Sequence, residues 1–341
     1  MQYQNQKQYQ ETEGMKFVKL YDVRYLFMFL FVAPLISFSQ SSVLSNAKQS
    51  FEEKKYEIVE QTLEAYLKIS PNDLEGIELL GDAYGQQEKW DHAIDAYEKL
   101  VALKPNVANY HYKFGGALGM KALSVSKLRA VAFIGDIKSA FLKAAELDPK
   151  HINTRWALVE LYMQLPGIIG GSKSKSLKYA DELQALSEVD GYLAKGYVYE
   201  YDDEPELAEE FYKKAIKIGG SLTCFDKLTK LYESQKQPEK AIANIEDAQK
   251  KHKRNALHYQ IGKVAAEYNI ELNKGQRCLQ IYIKNHSAAD GVPTAWANYR
   301  LAQIHRHKGN QSEALKYINL AITALPKIKA FQKEKTDILK L

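Results

Sequence analysis

The residues that could do chemistry are few, and their spacing suits none of the common centres. Gly167-Ile-Ile-Gly170-Gly171-Ser172-Lys173-Ser174 invites comparison with a phosphate-binding loop. That motif needs a glycine directly before its lysine and a strand leading in. Here Ser172 precedes Lys173, and a helical segment ending at Leu165-Pro166 leads in. What remains is a flexible loop. Of the 8 histidines, His305 and His307 stand closest, and their i, i+2 spacing puts them on different helix faces. No His-Glu-x-x-His pair, Cys-x-x-Cys pair or Gly-x-Ser-x-Gly elbow occurs. Cys224 and Cys278 are the only cysteines, at helix positions where small apolar residues pack. They read as buried free thiols, with a single bridge in an oxidising compartment as the alternative. Carboxylates abound without converging. The sequence therefore predicts no enzyme, no metal and no cofactor, and it indicates no small-molecule substrate.

Charge narrows the partners further. The formal net charge is +5, and residues 1–39 account for +1 of it through Lys7, Lys16, Lys19 and Arg24 against Glu11, Glu13 and Asp22. The remainder is spread too thinly for a nucleic-acid footprint, which concentrates basic residues on one face. Lys250-Lys251-His252-Lys253-Arg254 is the densest run. It reads as a solvated helix end, with an anionic contact as the alternative. Nucleic acid is not expected as a partner.

The N-terminus looks like an address. Lys16, Lys19 and Arg24 precede an apolar run from Tyr25 to Ile36, followed by Ser37-Phe38-Ser39-Gln40. A positive segment, a short apolar one and a small-x-small site describe a secretory signal cleaved after Ser39. A spanning helix wants about 20 apolar residues, so an uncleaved anchor is the lesser reading and the only membrane contact the sequence offers. No cysteine follows the run to carry a lipid. Translation could start at Met1 or Met15. The expected destination is the periplasm or the exterior.

The elements that would position a site form a repeat of helix, short turn, helix. The clearest unit begins at Leu74 and carries Leu80-Gly81, Tyr84, Trp90, Ala93, Tyr97 and Pro105. Small residues at Gly81 and Ala93 suit a close helix crossing, the rings fill the space beside it, and Pro105 ends the second helix. This pattern, with its period of about 34 residues, resembles the tetratricopeptide-repeat (TPR) family. The last unit follows it through Leu301-Ala302, His305, Gly309, Ala314, Ile318, Ala321 and Pro326. The resemblance implies an all-α, right-handed solenoid of about eight helix-turn-helix repeats. Their expected spans are 40–73, 74–107, 108–151, 152–188, 189–221, 222–254, 255–290 and 295–328, with a lysine-rich amphipathic cap at 328–341. Two consecutive units are stretched between their helices, at 121–134 and at 165–175.

By the same resemblance, the groove-facing positions of first helices fall on Tyr112, Trp156, Tyr197, Tyr201, Tyr259, Trp296 and Tyr299. Tyr and Trp often anchor interfaces, so this row predicts a groove for a protein or peptide; shifted register or ordinary packing is the alternative. The acidic Glu75, Glu78, Asp82 and Asp226 stand where TPR domains that grip acidic tails carry basic and amide residues, which argues against that ligand. The two insertions give a second expectation. Equivalent turns of a solenoid share an edge, so Leu123, Val125, Leu128, Val131, Phe133 and Ile134 would lie beside Pro166, Gly167, Ile168 and Ile169. Either they cover each other, or they form an edge that docks the chain into an envelope assembly.

Overall fold

Pro71 and Pro105 bound a segment that holds a pair of short helices, and such pairs recur along the chain. The computed structural model describes residues 42–341; the expected leader and its cleavage site lie outside them. Among the described residues there is no strand. They form two compact units, one reaching to Thr154 and one running from Arg155 to Leu341. The first holds α1 (42–52) with α2 (Tyr56–Ile69), α3 (Leu74–Gln86) with α4 (Trp90–Leu103), and α5 (Ala108–Ser124) with α7 (Ile134–Leu147). A short α6 (Lys127–Ala130) is inserted before α7. The second pairs α8 (Ile152–Gln164), whose first turn carries the boundary, with α9 (Lys173–Leu186), and α10 (Glu188–Tyr201) with α11 (Pro205–Ile218). There follow α12 (Leu222–Ser234) with α13 (Pro238–His252), α14 (Asn255–Tyr268) with α15 (Leu272–Lys284), and α16 (Thr294–His307) with α17 (Gln311–Ala324). The cap is α18 (Lys329–Ile338).

The turn inside most pairs is one recurring device. Lys54, Glu88, Asp203, Lys236 and Gly309 all have positive φ. At each of these corners the following N–H reaches back to a carbonyl of the first helix, as in Lys89 to Tyr84 (2.9 Å) and Gln237 to Tyr232 (2.8 Å). The corner N–H itself bonds one residue further on, Glu88 to Gly85 and Lys236 to Glu233, both at 3.1 Å. This is a Schellman ending, whose left-handed residue is usually glycine. Only the last unit supplies one. A left-handed L-residue costs about 1–2 kcal/mol, partly offset by the chain entropy a glycine would lose. Lys236→Gly is therefore expected to stabilise by about 0.5 kcal/mol, read as a higher urea midpoint; an unchanged or lower midpoint would show the corner unstrained.

Packing explains the small residues. Ala93, Ala208, Ala241 and Ala314 are fully buried where the second helix of a pair meets its first. A Cβ at Gly81 would meet the ring of Tyr97 at 2.7 Å, and one at Gly196 the ring of Tyr212 at 2.3 Å. The glycine thus seats an aromatic ring from its partner helix. The same rings explain the preference for Tyr (23) over Phe (12). Their carbons are buried and their hydroxyls donate to carboxylates: Tyr66 to Asp73 (2.9 Å), Tyr84 to Glu64 (2.7 Å), Tyr97 to Asp82 (2.6 Å) and Tyr212 to Glu200 (2.5 Å).

The cap closes the last pair with Phe331 and Ile338, both fully buried. Arg306 Nε donates to the buried Glu334 at 2.6 Å, and Gln311 Nε2 to the carbonyl of Ile338 at 3.0 Å. The lysines of α18 stay outside. Cys224 and Cys278 are both free; Cys224 is buried, but Cys278 is only half-buried, short of the expected burial.

Candidate functional site

The residues of the predicted groove row are divided between the two units and differ in burial. Tyr112 on α5 is half-buried against Phe141 (6.1 Å between ring centres) and His151 (5.2 Å) in the first unit. Tyr259 is a correction: it is buried, its ring 5.3 Å from that of Tyr282, because α15 packs directly across it. Trp296 and Tyr299 are corrections of another kind. They lie 4.9 and 5.0 Å from the ring of Phe331, so the cap helix covers them. Trp156 is half-buried, and its indole N–H donates to Asp190 at 2.9 Å, tying α8 to the start of α10.

What remains is on α10. Tyr197 is half-buried, Tyr201 stands beside it at 6.0 Å, and Gln164 of α8 reaches the Tyr197 hydroxyl at 3.4 Å. Tyr201 is 53% exposed and is the only exposed Phe, Trp or Tyr among the described residues. Burial pushes the Tyr197 phenol up, and the charge of Glu160 adds to the shift. Glu160 is exposed by surface area, yet desolvation raises its carboxyl above the usual range, with Lys227 opposing. Both hold for a carboxylate flanked by neighbouring helices and open on one side. The face thus offers aromatic area, one carboxylate held in a partly desolvated place, and the charge of Lys227 on α12.

Charges that could have bound a ligand on the neighbouring first helices are already engaged. Lys113 sits between Glu78 (2.8 Å) and Asp82 (2.7 Å), Glu75 pairs with Lys48, and Asp226 with Lys230 (2.7 Å). Farther along, Lys263 meets Glu233 (3.1 Å) and Arg300 meets Glu267 (2.5 Å). The pairs of Lys48, Lys113, Lys263 and Arg300 each link a first helix to a neighbouring one, whereas Asp226 and Lys230 pair within α12; sequence reading missed them. The signal was available as opposite charges about one repeat apart.

The loop that imitates a phosphate site is also occupied. Lys173 bonds Asp202 (2.5 Å) and Glu204 and lies 4.9 Å over the ring of Tyr199, and the two carboxylates raise its pKa. His305 is buried and stacked on Tyr317 (5.3 Å), which lowers its pKa through desolvation, while His307 meets the carbonyl of Ala266 at 3.0 Å. The two histidines do not converge. Among the described residues no three His, Cys, Asp or Glu side chains gather as metal ligands, and no helix is long and apolar enough to cross a membrane.

The insertions fall in different units. In the second unit Pro166 and Gly167 are exposed, Ile168 is 96% exposed and Ile169 is half-buried, with Gly170 turning left-handed to start α9. In the first, α5 continues to Ser124, and α6 with a 3-10 turn at Val131–Phe133 leads into α7.

Residues 81–121 match a profile described as TPR repeat, and residues 189–218 and 297–327 match one described as tetratricopeptide repeat. Among solved structures the chain is similar to a thermophilic TPR protein of Thermus thermophilus, at 16% identity over 57% of this chain and 98% of that one, with a TM-score of 0.47. It is similar also to a tetratricopeptide repeat protein from Parabacteroides merdae, at 11% identity over 88% and 99% of the two chains, TM-score 0.48. A third is YrrB, described as a TPR protein with an unusual peptide-binding site, at 19% identity over 58% and 98%, TM-score 0.41. Comparison with curated protein sequences finds no match. Paired helices, seated rings and matched repeats define an α-solenoid, a class whose stacked pairs present surfaces for other proteins. The chain carries tetratricopeptide repeats.

Proposed function

We propose that this chain is a non-enzymatic scaffold, exported to the cell envelope, that holds a segment of a partner protein against the Tyr197–Tyr201 face. The observation that carries this reading is the exposure of Tyr201. Every other described Phe, Trp or Tyr is at least half-covered, and a rigid ring left in water beside a second one suits a binding anchor. Glu160 supports it, since a carboxylate raised by its surroundings gains from a donor that a partner brings. The exported location rests on the leader sequence alone.

A photo-crosslinking amino acid at position 201 in the native host is the direct test. It is expected to trap one partner, while the same probe at the exposed Ile281 traps none. Replacing Tyr197 and Tyr201 by Ala should then weaken that partner at least about tenfold, roughly 1.4 kcal/mol, with helix content unchanged. No adduct at 201, or unchanged affinity in the double variant, would move the contact elsewhere.

A further inference from the structure

The lobe between α5 and α7 has a different composition from the rest of the chain. No Asp or Glu occurs between Glu98 and Asp136, a stretch that includes Lys121, Lys127 and Arg129. Lys121 is paired with Asp91 at 2.6 Å. Lys127 and Arg129 are exposed and form no ion pair with a described residue. Between them stands Leu128, 87% exposed, with Val131 one turn on and Leu123, 72% exposed, at the end of α5. Beneath, Phe133 and Ile134 are half-buried and Ile137 is buried, so the lobe is anchored, and no described residue covers its outer apolar side chains.

The spacing orders these groups. Leu128 and Val131, at i and i+3, share one side of the turn, and residues 127 and 129 flank that side. An apolar ridge bordered by two cations that no described acid pairs is the arrangement of an interfacial segment. Its aliphatic tips enter the acyl boundary while lysine and arginine reach the headgroups. Another protein's surface would need acidic groups matched to these two cations. A phosphate-rich bilayer surface meets both requirements at any rotation about its normal.

We propose that the lobe formed by Leu123, Leu128 and Val131 with Lys127 and Arg129 is a peripheral docking point for an anionic lipid bilayer. It is independent of the Tyr201 face. One such lobe gives weak, reversible attachment, because its apolar side chains are few and its cations are two.

The test uses the full chain with Cys278→Ser and Leu128→Cys, carrying an environment-sensitive fluorophore at position 128. On vesicles of equal phosphatidylcholine and phosphatidylglycerol, emission should rise and shift to the blue; on phosphatidylcholine alone it should stay as in water. Adding Lys127→Glu and Arg129→Glu should weaken the apparent affinity at least about tenfold, with circular dichroism unchanged. A label at the exposed Asp247→Cys reports general adsorption and should not respond. The proposal is overturned if position 128 stays in water on anionic vesicles. It is equally overturned if charge reversal has no effect, or if the label is already shielded without lipid and the mass shows a dimer, in which case a second copy covers the lobe.

Discussion

Ala93→Asp is expected to unfold the first unit while leaving the second largely protected. Ala93 lies in the first turn of α4 with no exposed surface, against the helix that carries Gly81 and Tyr84. A carboxylate there has no cation within the packed face and no room for water. An unpaired buried charge costs about 3–5 kcal/mol, a large share of the stability of three helix pairs. Repeat units stabilise one another through nearest-neighbour contacts, so damage at α4 should pass to α3 and α5 first. Hydrogen exchange is the measurement: amides from about residue 56 to 124 should lose protection, and those of α16 and α17 should keep theirs. Ala93→Ser, which adds a small group able to bond a helix carbonyl, should do much less. Uniform loss along the chain, or none, would contradict the placement of Ala93.

The second large effect is expected at the other end, from Phe331→Ala. Phe331 is wholly buried between Trp296 and Tyr299 and is the largest apolar group that α18 contributes. Truncating a buried Phe to Ala costs about 3–5 kcal/mol, and a helix of 10 residues has little else to hold it. The bonds from Arg306 to Glu334 and from Gln311 to Ile338 are not enough to replace that ring. Residues 329–338 should therefore detach. Tryptophan emission should shift to the red through Trp296, while helix signal falls only by the cap. If emission and exchange at 329–338 stay as in the parent, the cap does not depend on Phe331.

Much of this was legible in the sequence. The paired helices follow from the periodic Gly81, Ala93, Tyr97 and Pro105 and their counterparts, because packing of small residues against rings repeats once per unit. The cap was legible as an amphipathic lysine-rich tail. The binding face was legible only in part. Tyr197 and Tyr201 fall where the repeat pattern puts them, but Tyr259, Trp296 and Tyr299 are covered by α15 and by Phe331. A pattern says which side of a helix a residue occupies, not whether another element lies on top of it. Trp156 illustrates the same limit, since its bond to Asp190 spans 34 residues. The corners were hidden for another reason. Lys54, Glu88, Asp203 and Lys236 hold a conformation that sequence reading assigns to glycine, so only Gly309 signalled it. The lobe after α5 was visible as surplus length, whereas its exposed leucines and unpaired cations needed coordinates.

The bonds from buried tyrosines to carboxylates set an alkaline limit on the protein. Burial, reinforced by Asp82 at Tyr97 and by Glu200 at Tyr212, pushes these phenols far above the usual tyrosine range, and burial holds Tyr282 at about 12. A folded-state pKa raised above that of the unfolded chain, about 10 for tyrosine, means the native state keeps a proton that the unfolded chain gives up. The stability linked to that proton is whole below pH 10 and drains as pH climbs toward the folded values. Phenolate cannot form at Tyr97 or Tyr212 while the ring stays seated beside its glycine and its carboxylate. Ionisation of these tyrosines and loss of the repeats are thus a single event, and each repeat that carries such a pair has its own copy of the trigger.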